Sequence, residues 1–228
     1  MAFELIHDKF PIPQLSPAVF DKYMEKGWRF LGEIMLRHNA LMYKEEFTMT
    51  VPLRIRLDGF SFSKSQAKVL RTHRNYFQFR IAPIEVTAEK NQLFLRHCNR
   101  FEFGHHYTDL RTFITPNSRF LPVQGLEIEV YDQSKLVACS YFHVGQQSIC
   151  ATYCFFDPDY TEFSLGNFTM YLEIELAIRL KKQWYYTGYA HQRPSQFDYK
   201  YNFNNLESMD WVTEQWVPHP RQIPQKRS

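Results

Sequence analysis

Lys64, Lys68 and Arg71 stand at i, i+4 and i+7. On a helix that spacing puts three cations on one face. With Arg54, Arg56 and Arg74 nearby in the chain, such a face suits phosphate contacts along a nucleic acid. The plainer reading is a solvated helix surface. Ser164-Leu165-Gly166-Asn167 opens the strongest helical pattern. First-turn amides there can hold an anion or a developing oxyanion, or Ser164 serves as an ordinary N-cap. Glu173, Glu175 and Asp157 are the candidate carboxylates; Glu173 follows the helix start closely enough to bind an ammonium group or relay a proton, with a surface charge as the alternative. Tyr186 and Tyr189 suit stacking on a base or packing in a sheet. Cys150 and Cys154 share one face of a strand, but without a second pair they do not make a zinc site. His105 and His106 are adjacent and do not converge on one ion. His191 follows the Tyr189 strand and suits a base, with a packing or surface histidine as the plainer reading. No metal site is expected.

These residues need elements to position them. Ser16-Pro17 caps a short helix that Gly27 ends. Residues 28–35 read as one strand, and Val51, Leu53, Ile55 and Leu57 alternate with polar neighbours as a half-buried strand does. A helix over 63–75, a strand over 76–84 and a helix over 88–103 follow, then a loop over 104–117. Three strands over 125–131, 136–144 and 148–156 form a meander joined by short turns. A long helix over 167–182 and a strand over 184–189 complete the order. The expected fold is α/β: a mixed sheet of the GCN5-related N-acetyltransferase-like type with flanking helices, in which a splayed pair of strands makes the active cleft. Residues 1–60 are expected to pack as an N-terminal region on a catalytic domain of 61–217, with 218–228 as a basic, disordered tail.

Composition bounds the function. The chain has 228 residues, a formal net charge of +3 and only 8 glycines, so a Gly-rich nucleotide loop is not expected. Nothing in it is long and apolar enough to span a bilayer, and the N-terminal residues lack the apolar stretch of a signal peptide. With four scattered cysteines, the chain reads as a reduced cytoplasmic protein.

Two blocks carry a family resemblance. The first is Val51, Pro52, Arg54, Ile55, Ser63, Ser65, Gln66, Lys68, Val69, Leu70 and Arg71. The second comprises Phe156-Asp157-Pro158-Asp159, Ser164-Leu165-Gly166, Glu173 to Ala177, Tyr186 with Gly188-Tyr189, and Tyr199-Lys200. Tyr23 with Gly27-Trp28-Arg29 adds a weaker match. In this order they resemble the arginyl-tRNA–protein transferases and their bacterial leucyl relatives. Two departures stand out. The Cys-rich element usual before the Val-Pro strand is replaced by Tyr43 to Thr50, and the usual Cys-x-Lys-Met is replaced by Gln192 to Phe197.

The resemblance implies aminolysis. The α-amine of a protein N-terminus attacks the ester joining Arg or Leu to tRNA, as in N-degron tagging for protein degradation, with no cofactor. It assigns Glu173, Asp157 and Ser164 to catalysis. Ser65, Gln66, Leu165, Gly166, Tyr186, Tyr189, Tyr199 and Lys200 are assigned to substrate, and Arg54, Lys64, Lys68 and Arg71 to tRNA. The implied partners are aminoacyl-tRNA and protein or peptide N-termini. A non-catalytic binding module and an acyl-CoA N-acyltransferase remain the alternatives, although the coenzyme A loop Gln/Arg-x-x-Gly-x-Gly/Ala is missing before the long helix.

Overall fold

The computed structural model describes residues 4–101 and 107–219. In chain order its elements are β1 (His7–Pro11), α1 (Pro17–Glu25), β2 (Arg29–Leu31), β3 (Ile34–His38), β4 (Ala40–Tyr43), β5 (Glu46–Arg56), α2 (Lys64–Tyr76), β6 (Gln78–Pro83) and α3 (Ala88–Cys98). They continue with β7 (Gly125–Asp132), β8 (Lys135–Val144), β9 (Ser148–Phe156), α4 (Leu165–Arg179), β10 (Trp184–His191), β11 (Leu206–Met209) and β12 (Trp216–Pro218).

Local chemistry explains the boundaries. Ser16 caps α1 through the Val19 amide, and Pro17 occupies the first turn, where a missing N–H does no harm. Ser63 and Gln66 make a reciprocal capping box at the start of α2. Gly32 takes a φ of +57° in the two-residue turn between Leu31 and Ile34. The strand read over 28–35 is therefore a hairpin, β2–β3, in which glycine supplies the left-handed turn.

Among the described residues the main sheet has nine strands, in the order β12-β11-β5-β10-β9-β8-β7-β6, with β4 also on β5. Every neighbouring pair is antiparallel except β9–β10. A parallel pair requires a crossover, and α4 is that crossover. The fold is thus a mixed α/β sheet with flanking helices, as expected. β5, which falls inside the expected N-terminal region, is a central strand of this sheet.

Both faces are covered. On one, α2 and α4 pack with Leu53, Ile55, Ile128, Val130, Phe142, Ile149 and Tyr185 into the main core. On the other, α3 covers Cys139, Tyr141 and Phe155. Beside it, α1 and the small sheet β1-β3-β2 cover Cys150 and Tyr186 with Phe20, Met24, Phe30 and Met35. α3 also carries Lys90, buried between Glu127 and Glu129 of β7 at 2.5 and 2.8 Å.

His105 and His106 lie outside the described residues. So does most of the expected tail, but Pro218 ends β12 and the His219 ring stacks on Tyr201. No helix among the described residues is long and apolar enough to cross a membrane.

Candidate active site

The β9–β10 pairing lasts only three residues, from Trp184↔Ser148 to Tyr186↔Cys150. Beyond it β9 continues to Phe156 while β10 follows β5. The two strands separate and leave a gap in the middle of the sheet. An irregularity between Tyr186 and Gly188 accompanies the divergence, and Gly188 takes a φ of +92° there. That backbone favours glycine.

The gap has a polar floor on the α4 side. Glu173, only 2% exposed, accepts a hydrogen bond from the Tyr185 hydroxyl at 2.7 Å. Burial pushes its carboxyl up to about 8, so it is protonated at neutral pH. Cys154 of β9 meets Thr169 of α4 at 3.4 Å, and the face of Gly166 lies beside Cys154 and Phe156. Burial drives the thiols of Cys150 and Cys154 to about 11 and 12. Neither is a thiolate at neutral pH, so neither is poised as a nucleophile. Tyr199 is likewise shifted up by burial, and it lies near enough to Glu173 and Cys154 to feel both.

Lys200 enters from the turn after β10. It is 8% exposed, and its Nζ donates to the Tyr189 carbonyl at 2.8 Å, just past the point of separation. A Cβ on Gly188 would stand 3.1 Å from that Nζ. Burial, then the charge of Arg29, lowers the ammonium pKa to about 7.

Arg29 approaches from the opposite face, on β2. It is 7% exposed and faces the rings of Tyr186 and Tyr189 at 5.3 and 5.4 Å. Its charge and that of Lys200 both reach Cys150. The sequence reading did not single out Arg29. The signal available was the Tyr23, Gly27-Trp28-Arg29 match, which gave no reason for a cation to turn inward.

Several expected site residues lie elsewhere. Asp157 caps the turn after β9 and pairs with Arg96 and Lys135 at 2.8 Å each. Burial alone would raise its carboxyl, but Lys135, the Asp159 amide and Arg96 outweigh that and hold it low. It is a structural anion, not a free base. Arg54 is 7% exposed, bonded to Glu207 at 2.8 Å and sandwiched between Trp184 and Trp216 at 3.6 and 4.3 Å. A phosphate cannot reach it without breaking that pair. Gln66 is spent on the α2 capping box and on the Asn202 carbonyl. Ser65 is exposed and meets only Ser63 at 3.1 Å. Leu165 is wholly buried in the core. Ser164 has left-handed backbone and makes no side-chain cap, which leaves the first turn of α4 open.

Tyr186 and Tyr189 do converge, as the two aromatic walls around Arg29. The Tyr189 hydroxyl donates to the Gly27 carbonyl, which ties β10 to the N-terminal layer. Lys64, Lys68 and Arg71 are exposed on α2 with no ion pair among the described residues. α2 is joined to the start of α4 by His73, whose Nε2 lies 2.6 Å from the Phe163 carbonyl.

The family model described as "Arginine-tRNA-protein transferase, C terminus" matches residues 89–210. The "Aspartate/glutamate leucyltransferase" of Campylobacter jejuni (strain 81116) is 24% identical over 216 residues, covering 89% of this chain and 84% of its own. That of Vibrio cholerae (strain ATCC 39541) is 26% identical over 206 residues, covering 90% and 85%. Among solved structures, L-PGS from Bacillus licheniformis superposes with a TM-score of 0.47 at 11% identity, over 82% of this chain and 54% of that one. A GCN5-related N-acetyltransferase from Kribbella flavida gives 0.34 at 10% identity, over 60% and 47%. The chain spans about half the length of these two solved chains. With more than half of its residues inside the family model, the chain belongs to the arginine-tRNA–protein transferase family and is an aminoacyltransferase.

Proposed function

We propose that this aminoacyltransferase works in the gap between β9 and β10, moving Arg or Leu from aminoacyl-tRNA to the N-terminal α-amine of a protein. The observation that carries the placement is the early end of the only parallel pair among the described strands, beside a protonated Glu173 and the open first turn of α4. The donor ester is already activated, so the remaining work is positioning, stabilising charge and moving protons. With both nearby thiols neutral, direct aminolysis is the step the site supports best.

The neutral amine, from an ammonium of ordinary pKa about 7.7–8.0, attacks the ester carbonyl. The C–N bond forms and the C–O bond to the ribose breaks. Glu173, holding a proton at neutral pH, gives it to the leaving oxygen and recovers one from the attacking nitrogen. The open amides of Leu165 and Gly166 face the developing oxyanion. The exposed Lys64, Lys68 and Arg71 lie along the tRNA phosphates. The setting is the cytoplasm, where such tagging feeds the N-degron pathway.

The direct test incubates the purified chain with labelled Arg-tRNA or Leu-tRNA and peptides differing in their first residue. Transfer to an N-terminus is the expected result. Salt-sensitive tRNA binding with no transfer for any pair would leave a binding module. Thermal stabilisation by coenzyme A would point to acyl-CoA chemistry.

A further inference from the structure

Of the 14 tyrosines, all among the described residues, Tyr76 alone is exposed, at 56%. It is the last residue of α2. Its ring stacks on Phe163, with centroids 5.3 Å apart and planes 29° from parallel, and meets Phe77 edge to face at 4.6 Å. The rest of the ring is open to water. Phe163 is held in place, because His73 of the same helix lies with its Nε2 2.6 Å from the Phe163 carbonyl. Tyr76 and Phe163 thus make a fixed two-ring step on the surface.

A single exposed ring needs no explanation by itself. The place of this one gives it meaning. On one side is α2, which carries no acidic residue and presents Lys64, Lys68 and Arg71 to solvent. Arg71 is five residues before Tyr76, about 7.5 Å back along the helix axis. On the other side Phe163 is followed directly by Ser164 and the open first turn of α4, and Gly166 there lies beside Cys154 and Phe156 at the gap. The step stands between the cations that suit phosphates and the gap that suits the ester. Tyr186, a stacking candidate by residue type, is 2% exposed and presents no free face.

We infer that the Tyr76–Phe163 step seats a base of the unpaired 3′ strand of the donor tRNA, between the phosphates along α2 and the ester in the gap. This rests on the transfer reaction proposed above and gives its donor a positioning contact that no charge supplies. A paired stem is too broad to enter between two strands of a sheet, so the nucleotides nearest the ester arrive as a single strand. Their bases have free faces, and an aromatic side chain stacks on any of them whatever its identity. An acceptor peptide is the poorer occupant, since the basic, acid-free α2 repels its α-ammonium group and attracts phosphates.

The experiment measures the affinity of the full chain for two uncharged tRNAs, one intact and one trimmed of its unpaired 3′ nucleotides, by fluorescence anisotropy over a salt series. The wild-type chain should bind the intact tRNA more tightly. Tyr76→Ala should weaken that binding about fivefold to a hundredfold, the range for one stacked base, and leave the affinity for the trimmed tRNA unchanged. Its salt slope should stay at the wild-type value, because no phosphate contact is lost. Tyr76→Phe keeps the ring and should bind as wild type, whereas Tyr76→Leu keeps apolar bulk and should behave as Tyr76→Ala. The side chain is exposed, so all three should melt close to wild type, and unchanged binding of the trimmed tRNA checks their fold independently. Equal wild-type affinities for the two tRNAs, or a Tyr76→Ala chain that keeps the full preference for the intact one, would overturn the assignment. So would a loss shared equally by both tRNAs, which would make Tyr76 a structural residue. A loss of acceptor-peptide affinity with tRNA affinity intact would put a protein on the ring and overturn it as well. Binding needs no turnover: a Tyr76-dependent preference in a chain that never transfers would sink the transfer reading alone, and transfer without that preference would sink this one alone.

Discussion

At the scale of single residues, Glu173 gives two effects of opposite sign. Its folded pKa, about 8, stands well above that of an exposed glutamate. The folded chain therefore holds a proton that the unfolded chain has lost, and stability falls as pH rises from about 4.3 toward 8. Glu173→Gln keeps a neutral acceptor for the Tyr185 hydroxyl and removes that penalty. Its melting temperature at pH 8 should rise above wild type, while transfer falls by about 10²-fold or more, the usual scale for a lost acid–base group. Calorimetric melting and a single-turnover assay read the two quantities, and unchanged turnover would reduce Glu173 to a structural acid. Gly188 makes a second case. Its φ of +92° and the 3.1 Å separation from Lys200 Nζ mean that Gly188→Ala should strain β10 and displace the lysine. The expected result is a loss of stability on the order of 1–3 kcal/mol by denaturant titration.

At the scale of elements, the helices on the two faces of the sheet are fixed by different means. α4 is held by apolar packing, whereas α3 is anchored in part by Lys90 between Glu127 and Glu129. Lys90→Met leaves two glutamates buried without their cation and should destabilise the chain by about 3–5 kcal/mol in equilibrium unfolding. On α2, Lys64→Ala combined with Lys68→Ala should leave stability nearly unchanged, since both are exposed and unpaired among the described residues. The same double change should weaken tRNA binding and flatten its salt dependence.

Elements were legible where pattern and punctuation coincided. The three meander strands and α4 were read within a few residues, because their alternation or their 3.6-residue periodicity is long. β1, β4, β11 and β12 were missed: they are three to five residues long, too short for a period to declare itself. Candidate residues could be named where type alone suffices, as with the Glu173 carboxyl and the α2 cations, whose roles in transfer stand as proposals. Burial and pairing come from distant parts of the chain, so nothing near Arg54 announces Glu207 as its partner, and nothing near Arg29 announces that it turns inward with no carboxylate partner among the described residues. Gln66 shows a third kind of failure. Its match to the family is satisfied by a local capping box, a role that Ser-x-x-Gln spells out unaided.

At the scale of the whole molecule, acid should be destabilising. Burial lowers His38, His97 and His143 to about 4. Each is then neutral in the folded chain and charged in the unfolded one between about pH 6.5 and 4, so stability falls as pH drops through that window. Glu173 works in the other direction by one proton. Unfolding at pH 5.5 should therefore take up about two protons net from these groups, measurable as the slope of stability against pH between 6.5 and 5. A flat profile would contradict the burial of these rings.

The interrupted ladder has one more consequence. Where β9 and β10 part, the inner edge of each strand ceases to be read by its neighbour and can be read by a guest in extended form. Main-chain recognition of that kind is indifferent to the guest's side chains. Discrimination would then be confined to the opening residue, and polypeptides unrelated beyond that point would be equally eligible, provided their leading segment is unravelled enough to thread.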